Sequence, residues 1–178
     1  MIWKPMPKAL LVVDVLDGIF TLPVPTYAAD AFLAGVSELV SSARKAAAVV
    51  VHVQHFGPPG TLFAKDAPGR RIHSSVAPRA NELVIDKEHP DSFQGTTLEA
   101  ELRSRGIRDL VVCGFATQHC VDTTVRSAYA HGFSVELAAD AHTTTSNEVL
   151  DAATIIAHHN RVLARFAQVK PRSAISFS

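Results

Sequence analysis

The stretch 107–132, IRDLVVCGFATQHCVDTTVRSAYAHG, reads as a strand, a short loop and a helix in succession. Residues 107–114 form an apolar run rich in β-branched residues, which is typical of a strand buried on both faces. After the polar loop, an amphipathic segment predicts a helix from about Cys120 to His131, ended by Gly132. A strand followed directly by a helix is the repeating unit of α/β folds, so this stretch decides the fold class.

The same alternation continues on both sides of this unit. Apolar runs predict four further strands, at residues 8–15, 47–55, 82–87 and 133–139. Helix starts are indicated by Asp30 and by two capping boxes, Thr96 with Glu99 and Thr145 with Glu148. The pattern predicts a single domain over residues 1–178, an α/β Rossmann-like three-layer sandwich with a mostly parallel central sheet flanked by helices.

The composition is that of a soluble globular protein without a charge excess. The 178 residues include 47% hydrophobic and 19% charged residues, and 17 basic residues balance 17 acidic ones. This balance argues against nucleic acid or an anionic membrane as a partner, and no apolar stretch approaches the roughly 18 residues of a membrane helix. We expect a cytoplasmic protein whose partner is a small-molecule substrate.

The carboxyl edge of the predicted sheet is where a ligand site is expected, because parallel α/β sheets bind ligands there. The positions that follow the predicted strands hold Asp14, His55, Lys87, the loop 115–120 and Asp140. The connection 56–71 is long and rich in Pro and Gly, and loops of that length are often functional.

The two cysteines lie seven positions apart and have different expected roles. Cys113 lies inside an apolar run, which favours a buried core thiol. Cys120 follows the loop and opens a helix, where backbone N–H groups stabilise an anion, so its pKa is expected to be lowered and its thiol nucleophilic. From position alone, a partly buried structural role for Cys120 stays open.

An acid and an amine are predicted at the same edge. Asp14 ends the first strand and could either cap the following loop or exchange a proton with a thiol. Lys87 follows the third strand; most lysines are solvated, but one beside Cys120 and Asp14 would favour a thiolate and a developing oxyanion.

Other kinds of site are not supported by the sequence. The nine histidines form no metal-binding motif, and His52 and His55 are expected on opposite faces of a strand, so neither a metal nor another cofactor is predicted. The first strand is followed by one glycine where a dinucleotide fingerprint needs three. A phosphotransferase using Asp14 and Asp17 is disfavoured because their spacing is one residue longer than in a DxD motif.

Three segments resemble the isochorismatase-like cysteine hydrolases, the family that includes nicotinamidases and N-carbamoylsarcosine amidohydrolases. They are ALLVVDV (9–15), IDKEHPDSFQGTTL (85–98) and VVCGFATQHCVDTTVRSAYAHGFSVELAADAHTT (111–144). The resemblance runs from about residue 8 to 165, and Thr117–Thr124 is its most specific part.

The resemblance implies a catalytic triad of Asp14, Lys87 and Cys120. Cys120 would attack a carbonyl carbon, Asp14 would carry the thiol proton to the leaving nitrogen, and Lys87 would support the thiolate. The family's cis peptide bond maps to Phe115–Ala116, and the N–H groups of Ala116 and Cys120 would form the oxyanion hole.

The sequence also departs from the family. Nicotinamidases carry an Asp-x-His metal pair after the second strand, where this chain has His55-Phe56-Gly57, which argues against a metal and against nicotinamide. Many members have Gln where Leu16 stands, so the pocket is expected to be less polar. Isochorismatases that cleave a vinyl ether often lack the cysteine, so Cys120 favours C–N bond chemistry.

The expected function is therefore cofactor-free hydrolysis of a small amide, ureido or lactam C–N bond through a thioester-type intermediate on Cys120. Two alternatives stay open, which are isochorismatase-type hydrolysis of an enol ether and a non-catalytic small-molecule-binding protein. Because members of the family are commonly oligomeric, a homodimer or homotetramer is expected. The predicted pocket residues are Ile19, Gln54, Phe56, Phe93 and His119, with Gln118 and His142 as further candidates.

Overall fold

Six parallel strands form the central sheet of the protein, whose computed structural model describes residues 7–177. The strands are β1 (Lys8–Val13), β2 (Val49–His55), β3 (Leu83–Lys87), β4 (Asp109–Phe115), β5 (Ser134–Thr143) and β6 (Gln168–Lys170). Their order is β3-β2-β1-β4-β5-β6, and these pairings are all parallel. The order reverses between β1 and β4, which is the point where such sheets bind ligands.

Four α-helices form the outer layers, and they are α1 (Ala29–Lys45), α2 (Leu98–Ser104), α3 (Asp122–Ala130) and α4 (Ala152–Leu163). Alternate residues of β1 point to opposite faces of the sheet, as the strand period requires. Leu10 and Val12 pack on the α1 side, and Leu11 and Val13 pack on the side of α2, α3 and α4. The predicted Rossmann-like three-layer sandwich is confirmed. The prediction of one domain over 1–178 includes residues 1–6 and 178, which lie outside the described residues.

Neither of the two predicted capping boxes coincides with a helix start in the structure. The capping box at Thr145 and Glu148 is wrong, because α4 begins at Ala152 and the Asp151 carboxylate accepts the Thr154 N–H at 2.9 Å. The start at Thr96 is one residue early; Thr97 precedes α2, although the Thr96 hydroxyl does accept the Leu98 N–H at 3.2 Å.

Two further differences concern helix α1 and strand β6. Asp30 lies in the first turn of α1 rather than before it, because Ala28 is the residue that precedes the helix. Strand β6 was not predicted, and its three residues are too few for a periodic pattern. Within residues 7–177, none of the helices combines the length and the apolar character needed for a bilayer crossing.

Candidate active site

The carboxyl ends of three strands bring three predicted side chains into contact. Asp14 directly follows β1, Lys87 ends β3, and Cys120 lies in the turn after β4. Lys87 Nζ lies 2.8 Å from Asp14 Oδ2 and 3.2 Å from Cys120 Sγ. Because β2 separates β3 from β1, the long lysine side chain has to pass the end of β2 to reach the acid. The resulting cluster of acid, amine and sulfur can transfer a proton and present a nucleophile.

The main chain of β2 holds Asp14 in place. Asp14 has a φ of 52°, a left-handed conformation that is uncommon for residues other than glycine. Its N–H donates to Val53 O at 3.0 Å, and its Oδ1 accepts the His55 N–H at 2.8 Å. Oδ2 is buried against the Lys87 ammonium at an angle outside hydrogen-bond geometry. This oxygen is therefore positioned to accept a proton from another donor.

Lys87 is a buried ammonium, only 1% exposed. Burial alone lowers the pKa of Lys87, but the Asp14 carboxylate and the Cys120 sulfur outweigh that effect and raise it above its ordinary value. Nζ also donates to His89 O at 3.1 Å. The amine is thus charged at neutral pH and fixed by three partners.

The thiol of Cys120 behaves differently from the sequence expectation. Burial and the Asp14 carboxylate raise the pKa of Cys120 to about 12, and Lys87 offsets this only in part. The predicted lowering is wrong because the sulfur lies inside the cluster, next to an anion, and not at an open helix start. The resting nucleophile is a neutral thiol. Cys113 is fully buried in the core, as predicted.

The turn that carries Cys120 is a π-helical turn, Thr117–Val121, which precedes α3. The predicted α-helix from Cys120 therefore begins at Asp122. The peptide bond between Phe115 and Ala116 is cis, at the predicted position. Ala116 O accepts the N–H groups of both His119 (3.0 Å) and Val121 (3.2 Å), so one carbonyl is the acceptor for two hydrogen bonds of the turn. The oxyanion hole at the N–H groups of Ala116 and Cys120 stays a prediction.

The close approach of β1 and β4 at this point requires a glycine. Gly114 has a φ of 131°, and a Cβ atom there would lie 2.0 Å from Val13 O. A side chain at this position would push apart the two strands that carry the acid and the nucleophile.

A polar network that sequence reasoning did not find lies behind the turn. Thr117 Oγ1 is 2.9 Å from His142 Nδ1, and His142 Nε2 is 2.9 Å from Asn160 Oδ1. Of these three side chains, only His142 is among the predicted pocket candidates, and it is 3% exposed. Asn160 comes from α4, and its only sequence signal is an amide within a largely apolar helix.

The predicted pocket residues divide into core and surface positions. Ile19 is 1% exposed and Phe93 7% exposed, and both pack in the core; their part in lining a pocket stays a prediction. Phe93 stacks on His131 with ring centroids 5.1 Å apart. His119 is exposed in the turn.

Gln54 and Phe56 lie at the exit of β2. The Gln54 amide donates to Arg70 O at 2.7 Å, and the Lys65 ammonium lies 4.2 Å from the centroid of the Phe56 ring. Both side chains are thus engaged by the connection 56–71. That connection also borders a cavity of about 510 Å³, lined in part by Asp17 and Arg71, which none of the three clustered residues lines.

His55 occupies the position of the nicotinamidase metal pair. Burial, followed by the charge of Lys87, lowers the pKa of His55, so its ring is neutral at pH 7. Its Nδ1 is buried without a hydrogen-bond partner. Over the described residues 7–177, no three His, Cys, Asp or Glu side chains are grouped as metal ligands.

The sequence is similar to one family model and to several known proteins. Residues 8–169 match the family model described as Isochorismatase domain. The uncharacterized isochorismatase family protein YddQ of Bacillus subtilis is 38% identical over 153 residues, which cover 82% of this chain and 83% of that protein. Streptothricin hydrolase of Streptomyces noursei is 39% identical over 137 residues, 77% of this chain but only 54% of its own length.

Two further similarities come from Pseudomonas putida. Its maleamate amidohydrolase is 29% identical over 143 residues, which cover 70% of this chain and 67% of that protein. The crystal structure of an isochorismatase from strain KT2440 superposes with a TM-score of 0.90 at 30% identity, covering 97% of this chain and 93% of that one.

Proposed function

The chain belongs to the isochorismatase family, and from that premise we propose that it is a cysteine-dependent hydrolase of a small amide, ureido or lactam C–N bond. The observation that carries the proposal is the Lys87 ammonium, 2.8 Å from the Asp14 carboxylate and 3.2 Å from the Cys120 sulfur. Relatives named as a streptothricin hydrolase and a maleamate amidohydrolase support a hydrolytic reaction of this class.

In the first half of the reaction, Cys120 forms a covalent bond with the substrate. Because its thiol is neutral at rest, the sulfur has to lose its proton as it attacks the carbonyl carbon, and Asp14 Oδ2 is placed to accept it. The Lys87 ammonium stabilises the negative charge that develops on sulfur. The N–H groups of Ala116 and Cys120 then bind the oxyanion of the tetrahedral intermediate.

In the second half, the proton held by Asp14 moves to the leaving nitrogen as the C–N bond breaks. This leaves an acyl group on the Cys120 sulfur and an amine or ammonia that can depart. Asp14, again a carboxylate, takes a proton from water as the water attacks the thioester. Collapse of the second tetrahedral intermediate returns the proton to sulfur and releases the acid.

The cysteine separates this chemistry from the enol-ether alternative. A sulfur that forms an acyl bond needs a carbonyl substrate, and a proton shuttle beside it serves a basic nitrogen leaving group. Neither feature is needed to protonate and hydrate a vinyl ether. The acid–amine–sulfur contact therefore favours C–N hydrolysis over both the enol-ether reaction and simple binding.

Replacement of Cys120 by Ala tests the proposal. We expect Cys120→Ala to lose turnover by at least about 10³-fold, since covalent catalysis has no other nucleophile in the cluster. The measurement is ammonia or amine release from a panel of small amides, ureido compounds and lactams. Cys113→Ala is the matched control, because it removes the other thiol from the core and leaves the cluster intact. Full activity of a folded Cys120→Ala protein would refute the proposal.

A further inference from the structure

A chain of side-chain hydrogen bonds links α4 to the turn that carries Cys120. It runs from Asn160 through His142 to Thr117, with 2.9 Å at each of its two side-chain contacts. His142 is 3% exposed and Thr117 is fully buried, so water does not compete for the bond between them, whereas Asn160 at the other end is half-buried. Buried polar groups of this kind stabilise one arrangement only when each has its partner.

The donor and the acceptor of each hydrogen bond can be assigned by starting from Asn160. Asn160 Nδ2 donates to Ala139 O at 3.1 Å, so Asn160 Oδ1 faces His142 and accepts its Nε2–H. Burial lowers the pKa of His142, and the ring is neutral, so Nδ1 carries no proton and accepts the Thr117 hydroxyl hydrogen. The three side chains therefore have one consistent set of donors and acceptors.

An irregularity in β5 brings His142, the middle residue of this hydrogen-bond chain, to the turn. Val112 pairs with Leu137, but Gly114, two residues later, pairs with His142, so β5 bulges between these points. The bulge carries His142 to the level of the turn, where Thr117 is the first residue. Bulges beside functional sites commonly serve to aim a side chain.

We propose that Asn160, His142 and Thr117 form a positioning relay that fixes the π-helical turn and so keeps the Cys120 sulfur within reach of Lys87 and Asp14. The relay acts through the turn and does not touch the substrate. Its effect on turnover rests on the proposed function, whereas its effect on the position and reactivity of the thiol does not.

Thr117→Val and Thr117→Ser form the direct test. Valine keeps the shape but removes the hydroxyl, and serine keeps the hydroxyl. We expect Thr117→Val to lower kcat by about tenfold or more with KM changed by less than about threefold, because a misplaced nucleophile affects the reacting state more than binding. The rate of Cys120 alkylation by iodoacetamide should fall in parallel, since the thiolate loses its contact with Lys87. Thr117→Ser should stay within about twofold of the original protein in both measurements.

A second variant lies outside the turn and covers the case in which Thr117→Val does not fold. Asn160→Leu removes the acceptor for His142 and should give the same pair of effects. His158→Ala, an exposed change on the same helix, is the control. Unchanged alkylation rate and unchanged kcat in folded Thr117→Val or Asn160→Leu would overturn the relay, even if the melting temperature fell.

The two proposals can fail separately. If no compound of the panel is hydrolysed, the alkylation rate still tests the relay. A slower alkylation of Thr117→Val would then support the relay while the proposed function fails, and an unchanged rate would overturn the relay on its own.

Discussion

Asp14 raises the pKa of both of its ionisable neighbours, with opposite consequences for their charge. Its carboxylate raises the pKa of Lys87, which keeps the amine charged, and also raises the pKa of Cys120, which keeps the sulfur protonated. The acid thus suppresses the thiolate at rest, and in the proposed reaction it accepts the thiol proton as the sulfur attacks the substrate. A neutral resting thiol is also less prone to oxidation, because the thiolate is the reactive form.

Asp14→Asn should separate thiol reactivity from turnover. Asparagine removes the neighbouring negative charge while Lys87 remains, so the pKa of Cys120 falls and alkylation by iodoacetamide at pH 7 should become faster by about tenfold. Hydrolysis should fall by at least about 10²-fold, because the variant lacks the proton acceptor. In the original protein the alkylation rate should still be rising above pH 9, as expected for a pKa of about 12.

The control for this experiment is Asp17→Asn, since Asp17 is 38% exposed and pairs with Arg71 at 3.5 Å. Slower alkylation of Asp14→Asn than of the original protein would show that the carboxylate favours the thiolate, contrary to the assignment.

At the scale of elements, the contact between β1 and β4 sets the geometry of the site. Gly114→Ala would place a Cβ atom 2.0 Å from Val13 O, and its φ of 131° is strained for alanine. We expect a loss of unfolding free energy of about 3 kcal/mol or more, together with loss of activity. The measurement is chemical denaturation followed by circular dichroism.

Gly132→Ala provides the comparison for Gly114→Ala. Gly132 also has a positive φ, 78°, but no heavy atom lies within 4 Å of the added Cβ. Its cost should be limited to about 1–2 kcal/mol of backbone strain. Equal costs at the two glycines would show that the close strand approach is not the cause.

Which elements the sequence predicts depends on whether their signal is local. The strands 8–13 and 109–115 were predicted because both faces are buried and the apolar run is continuous. The π-helical turn at Thr117 was missed because its hydrogen bonds, such as Val121 N–H to Ala116 O, join residues five apart, and the hydrophobic periodicity of the sequence does not report them. The raised pKa of Cys120 was missed for a similar reason, since it arises from burial beside an acid that is distant in sequence.

At the scale of the whole molecule, a second charged cluster ties an outer layer to the sheet. Glu82 accepts from Arg44 Nε at 2.7 Å and lies 3.1 Å from His52 Nε2, which joins α1, β2 and the segment before β3. Burial raises the pKa of Glu82, but the bonds from Arg44, the Arg79 N–H and His52 outweigh it and lower the value to about 2. The cluster lies at the amino edge of the sheet, away from Cys120.

The lowered pKa of Glu82 predicts how the free energy of unfolding depends on pH. A carboxyl whose pKa is lower in the folded state adds stability above its ordinary pKa of 4.5, and that contribution is lost as the pH falls from 4.5 toward about 2. Glu82→Gln should therefore be less stable at pH 7 and should lose less on acidification across this window. Urea denaturation at several pH values measures both effects. Glu99→Gln, at a glutamate whose side chain is 41% exposed, is the control, and a Glu82→Gln protein with the same pH slope as the original protein would refute the assignment.

The fold class follows from sequence alone because five predicted strands alternate with predicted helices, whereas the site depends on how distant elements meet. Asp14 and Lys87 lie at the ends of predicted strands, and Cys120 follows the loop after another, so their common edge was predictable. Their contacts, and the part played by Asn160 from α4, depend on side-chain packing that spans the whole chain.

The lysine of the cluster comes from β3, the outermost strand on its side of the sheet. The ammonium that contacts the sulfur is therefore carried by an edge strand, where backbone groups face solvent and pairing is weakest. Fraying of that strand would withdraw the ammonium without moving the acid or the thiol. In the proposed reaction, activity therefore depends on the pairing of β3 at the edge of the sheet.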